Sequence, residues 1–69
     1  MANLESPLAG KILEVNIEVG QKIDDDDEVM ILESMKMENP VYGPAGTVKE
    51  IKVKPGDKVE EGTVLAVIE

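Results

Sequence analysis

The chain has 69 residues and a formal net charge of −8, with no Cys, His, Arg, Trp or Phe. That length supports one domain, residues 1–69, with a thin core, and the missing residue types exclude disulfides, thiol nucleophiles, zinc–thiolate sites and histidine acid–base chemistry. The acidic balance, the lack of guanidinium and the lone aromatic Tyr42 argue against nucleic acid and anionic membranes as partners.

Val and Ile dominate the aliphatic residues, which favours strands. A first strand is predicted over 3–6 and stops at Ser6-Pro7. A second, 10–17, opens after Ala9 and ends before Val19-Gly20-Gln21. Strands over 22–24 and 28–34 flank the acidic run 24–28. A fifth, 37–42, ends at Gly43-Pro44, and a sixth, 46–53, at Pro55-Gly56-Asp57. Strands over 58–60 and 64–68 flank Glu61-Gly62. No segment keeps a helical period, so the fold class is all-β. No apolar run approaches the roughly 20 residues of a membrane span, and Met1-Ala2-Asn3 does not begin a secretory signal. A soluble cytoplasmic protein is expected.

The strands fall into two copies. Shifted by 36, residues 6–33 lie over 42–69 without a gap. Ala9, Gly10, Glu14, Gly20, Lys22 and Glu33 then meet Ala45, Gly46, Glu50, Gly56, Lys58 and Glu69, and apolar positions such as Ile12/Val48 and Leu32/Ile68 agree. A pseudo-twofold fold is implied. Val15, Ile17 and Val19 alternate in phase while Ile12 does not, and Ile51, Val53 and Val48 repeat this pattern. Side chains cannot change phase along a flat strand. A bend or bulge is expected near Leu13-Glu14 and Lys49-Glu50, carrying each strand from one sheet to the other.

Residues 34–41 have no second copy. Strands 28–34 and 37–42 leave only Met35-Lys36 between them, whereas a two-residue hairpin favours Asn, Asp or Gly at positive φ. Glu33 and Glu38 would also face each other, an unfavourable like-charge pair. Local rules broken together at one place point to a functional site, with Lys36 at its centre.

The run Glu33-Ser34-Met35-Lys36-Met37-Glu38, set between two half-repeats, resembles the attachment motif of biotinyl domains in the biotin/lipoyl attachment family. The resemblance implies a flattened β-barrel of two four-stranded sheets, Lys36 exposed at one end and the termini meeting at the other. It also implies that no thumb insertion is present. Lys36 would receive biotin, the covalent cofactor, from a biotin protein ligase using biotinyl-adenylate. An ordinary lysine carries a proton at neutral pH, so activation belongs to the ligase and presentation to this chain. Met35 and Met37, flexible and polarizable, suit contacts with several partners. Glu33 and Glu60 are candidates for ligase contacts. The loaded group would shuttle CO₂ as carboxybiotin between a biotin carboxylase and a carboxyltransferase or decarboxylase. The domain itself would be a non-catalytic monomer.

Three further readings complete the sequence. The run 24–28 does not make a calcium loop: counted from Asp24, the twelfth position is Met35, where such a loop needs Glu. It reads as a solvated turn. A lipoyl carrier shares the implied fold, but such domains usually carry Asp-Lys-Ala where this chain has Met-Lys-Met. Asp26 aligns with Gly62, so a left-handed backbone at Asp26 is expected if the two turns share one shape.

Overall fold

The computed structural model describes residues 2–69. The alternating apolar stretches become eight strands: β1 Ala2–Glu5, β2 Gly10–Val15, β3 Lys22–Ile23, β4 Glu28–Ser34, β5 Met37–Tyr42, β6 Gly46–Ile51, β7 Lys58–Val59 and β8 Val64–Ile68. They form two four-stranded sheets in the orders β1-β8-β6-β3 and β5-β4-β2-β7, and every ladder is antiparallel. Replacing β1, β8, β6 and β3 by β5, β4, β2 and β7 turns one sheet into the other, which is the pseudo-twofold of the sequence repeat. No ladder among the described residues joins the sheets. The molecule is therefore a flattened sandwich and not a closed barrel.

The core lies between the sheets. Ile12, Ile23, Val29 and Leu32 from one half pack with Val48, Val59, Leu65 and Ile68 from the other. Burying such side chains supplies the main favourable term in a small domain. Its limit is length: the whole molecule measures 31 × 18 × 16 Å, so each sheet has one row of neighbours to pack against.

The phase change has a physical cause. The ladder of β2 on β4 skips Leu13, passing from Ile12↔Leu32 to Glu14↔Ile31. The ladder of β6 on β8 skips Lys49, from Val48↔Ile68 to Glu50↔Val67. These are β-bulges at the expected positions. They do not, however, carry the chain across. After the bulge β2 stays on β4, and Asn16 N–H still donates to the Val29 carbonyl at 2.8 Å. The crossing comes later, so that by Gly20 the N–H donates to the Val48 carbonyl of the other sheet at 2.8 Å. Likewise Lys52 bonds Leu65 and Gly56 bonds Ile12. The predicted strands 10–17 and 46–53 end early, at Val15 and Ile51, because the crossing segments remain extended but leave the ladder.

Four turns hold the halves in shape, and all are built alike. In each, the fourth residue's N–H bonds the first residue's carbonyl, and its side chain accepts the first residue's N–H. The pairs are Glu18/Gln21, Asp24/Asp27, Lys54/Asp57 and Glu60/Thr63. Gly20, Gly56 and Gly62 occupy the third position with φ of 93, 97 and 88°, the type II geometry. Asp26 does not: among the described residues the only non-glycine ones with positive φ are Met35 and Lys36. The expected left-handed Asp26 is thus corrected. An L-residue with a Cβ takes the type I sense, and both end-to-end bonds survive the flipped central peptide.

One more correction concerns the repeat. β1 pairs with β8 as Ala2↔Ile68, Asn3↔Val67 and Leu4↔Ala66. β5 pairs with β4 as Leu32↔Asn39, Ile31↔Pro40 and Met30↔Val41. Leu4 therefore corresponds to Val41, Ser6 to Gly43 and Pro7 to Pro44, an offset of 37, whereas Gly10 corresponds to Gly46 at 36. The first half carries one extra residue between its Pro and its Gly, at Leu8-Ala9 against the single Ala45. Residues 6–9 do not align gaplessly.

Candidate functional site

β4 and β5 are joined by the shortest possible hairpin. Ser34 pairs with Met37 and Glu33 with Glu38, leaving Met35-Lys36 as the two-residue loop. Both loop residues are left-handed, with φ of 54 and 64°. This is the turn that matches the twist of paired strands, normally given to Asn-Gly. Placing two residues with long side chains there costs about 1 to 2 kcal/mol each. The core strand compensates: β4 buries Val29, Met30, Ile31 and Leu32 in succession, fixing the register that closes the loop.

The geometry sets out three side chains for contact from outside. Lys36 is exposed, Met35 is 92% exposed and Met37 is 65% exposed. Met37 does not pack into the hairpin. Its carbonyl accepts a bond from the Asn39 side chain at 3.2 Å, which steadies the start of β5. Around the tip the surface is acidic, because the Glu33↔Glu38 pair sits one step below it and both side chains are exposed. The acidic run lies elsewhere, in the exposed turn before β4, where the Asp27 carboxylate is engaged by the Asp24 N–H at 2.8 Å.

Glu33 and Glu60, far apart in sequence, come together on one open groove of about 1040 Å³ beside the hairpin, which Met35 also lines. Lys36 and Met37 stand outside it. The groove also takes in Leu8, Ala9 and Lys58, which the sequence did not mark as site residues. The signal that could have found them is the broken repeat: Pro7 and Pro44 are 37 apart while Gly10 and Gly46 are 36 apart. The extra residue forms one wall. Ser6, 2% exposed, pins that loop by donating its hydroxyl to the Leu8 carbonyl at 2.6 Å, while its N–H and carbonyl bond Thr63 and Gly62. Gly10 lets β2 close against β4, since a Cβ there would run into the Glu33 carbonyl.

Residues 2–68 match the family model described as "Biotin-requiring enzyme". The chain is 49% identical over 59 residues to a biotin/lipoyl attachment protein of Bacillus subtilis, covering 84% of this chain and 81% of that one. It is 42% identical to a biotin carboxyl carrier protein of Streptococcus mutans, covering 94% of this chain and 51% of that one. A dihydrolipoyllysine-residue acetyltransferase component of the pyruvate dehydrogenase complex, from Cupriavidus necator, is also similar, at 46% over 84% of this chain and 11% of its own. Among solved structures, the urea carboxylase of Kluyveromyces lactis superposes with a TM-score of 0.88 at 36% identity, over 99% of this chain and 6% of that chain. The chain thus spans most of the small attachment protein and only a small part of the large enzymes it matches.

Proposed function

This chain belongs to the biotin/lipoyl attachment family, and on that premise we propose that residues 1–69 act as one carrier domain whose Lys36 is biotinylated. The single observation that carries the reading is Lys36 itself, held at positive φ on the tip of a two-residue turn between two exposed methionines. Similarity to a biotin carboxyl carrier protein and to a urea carboxylase supports biotin as the cofactor.

The chemistry at Lys36 is an acyl transfer. A biotin protein ligase supplies the acyl-adenylate. The Nζ, freed of its extra proton within the ligase, attacks the acyl carbon. The C–N bond forms, the C–O bond to phosphate breaks, adenylate leaves with the electron pair, and the amine gives up one more proton. The domain's own part is to keep Nζ clear of its surface. Met35 and Met37 give the partner flexible apolar contacts beside the amine. Glu33 and Glu60 give it two carboxylates on the neighbouring groove.

When attached, biotin supplies a carrier for carbon dioxide. The protein's contribution is delivery: a tethered group visits two active sites at high effective concentration. The partners are then a biotin carboxylase and a carboxyltransferase or decarboxylase in the cytoplasm, and the domain carries out no bond-making step of its own after loading.

A lipoyl reading is favoured by one relative, and against it stand the methionines on both sides of Lys36. Intact mass of the protein co-produced with a biotin protein ligase decides. A gain of biotin less water, lost in Lys36→Arg, is expected. A gain of lipoate less water in lipoylating cells, or biotin on another lysine of Lys36→Arg, would overturn the assignment. Melting of Lys36→Arg should stay within about 0.5 kcal/mol of wild type, as at other exposed positions.

A further inference from the structure

We propose that the groove beside the hairpin is a resting site for the biotin ring carried by Lys36 of the same molecule. The inference rests on the reading of Lys36 as the biotinylated residue. It begins from an asymmetry: the two halves share their ladders, yet the extra residue lies in the half whose loop faces the lysine-bearing hairpin. That residue, Leu8, is 41% exposed on a loop that the buried Ser6 hydroxyl holds in place. Leu8 thus keeps an apolar side chain exposed at the edge of the groove. The groove is continuous with the attachment point, because Met35, the residue before Lys36, is one of its walls.

The chemistry of the lining matches the ring. Leu8, Ala9 and Met35 offer an apolar face for the sulfur-containing ring, to which a thioether is well suited. Lys58 offers a donor for the ureido carbonyl, and Glu60 an acceptor for a ureido N–H. Four charged side chains, Lys11, Glu33, Lys58 and Glu60, rim a wall whose exposed surface is otherwise mainly apolar, and the open groove has room for the ring. A shallow groove and a tether give an occupancy that a partner enzyme can displace, with the ring shielded between visits.

The test compares apo and biotinylated protein by NMR after intact mass has shown complete loading. Amide shifts at Leu8, Ala9, Glu60 and Thr63 should change on loading, and ring protons should give nuclear Overhauser effects to the Leu8 methyls. Leu8→Ser, loaded to the same mass, should lose these changes, and streptavidin should capture it faster than the loaded wild type. Complete loading with shifts confined to residues 34–37 would overturn the resting site while leaving biotinylation intact. No mass gain would bring down the biotin reading, and this inference with it.

Discussion

The two halves of the molecule are one β-unit used twice, and three of their differences stand out. Where they agree, residues serve the scaffold: the bulges at Leu13 and Lys49, the core pairs Ile12/Val48 and Leu32/Ile68, and the turns at Gly20 and Gly56. Where they differ, two of the three differences adjoin Lys36. One is the closed hairpin, which occupies the place that the chain ends take in the other half, where Ala2 pairs with Ile68. The second is the extra residue at Leu8-Ala9. The third, Asp26 against Gly62, lies in a turn and changes only the sense of one peptide. Repetition marks what the fold requires, and departures from it mark what the fold is for.

Two glycines, one at a tight backbone approach and one in an open turn, give the largest test. Gly10→Ala forces a Cβ into the Glu33 carbonyl at the foot of the hairpin, while Gly56→Ala meets nothing within 4 Å and bears only the strain of φ 97°. We expect a loss of about 2 to 3 kcal/mol for Gly10→Ala by overpacking and about 1 kcal/mol for Gly56→Ala. Thermal melts of the two should differ by several degrees, at about 4–8 °C per kcal/mol for a domain of this size. Equal losses would mean that the close approach of β2 to β4 costs no more than backbone strain alone.

The hairpin itself comes next. Met35→Asn places a residue suited to the left-handed region at φ 54° and should stabilise by about 1 kcal/mol. If Met35 serves the ligase, biotin loading slows in the same variant. A gain in melting temperature with unchanged loading would assign Met35 no part in recognition. Glu33→Lys reverses the charge beside the tip and should slow loading several-fold at low salt, with the difference shrinking as salt screens it. Rates indifferent to salt and to the substitution would remove the electrostatic part of recognition.

The smallest effect tests the third difference. With negative φ at Asp26, Asp26→Gly gains no relief of backbone strain and adds unfolded-state entropy. A loss of about 0.5 kcal/mol is expected, against about 1 kcal/mol for Gly62→Ala at φ 88°. A clear rise in melting temperature for Asp26→Gly would return that turn to the left-handed shape.

Much of this architecture was legible in the sequence because strand signals and turn signals both have short range. Ser6-Pro7 and Gly43-Pro44 punctuate strands where expected, after β1 and β5. β2 and β6 read too long because Asn16-Ile17 and Lys52-Val53 keep the alternation of a strand while crossing between sheets, and a period of two reports extension rather than pairing. The bulge showed itself as a phase change, but the place of crossing did not, since it depends on which distant carbonyl each N–H meets. Leu8 was hidden because Ala9-Gly10 and Ala45-Gly46 align well on their own, and only the register of β1 against β5 exposes the extra residue. The unusual turn at Met35-Lys36 was legible through a conflict: Met-Lys is the wrong pair for the turn that strand lengths demand. The meeting of Glu33 with Glu60 needed the fold, because one lies near the end of β4 and the other follows β7.

The strained turn also bears on the order in which the molecule assembles. A hairpin closed by Asn-Gly can zip early, within microseconds. One closed by Met35-Lys36 cannot lead, because both residues must leave their ordinary basin before any cross-strand contact compensates. The ladders β1–β8, β2–β7 and β3–β6 join segments distant along the chain, which places folding in the slower class of β-proteins. The tip therefore closes on a core already formed, when Met30 and Leu32 have fixed the register of β4. A nascent or half-folded chain does not display its lysine in this pose. On the proposed reading of Lys36, an enzyme that recognises the turn would inspect the finished sandwich in the same act, and defective copies would go unlabelled.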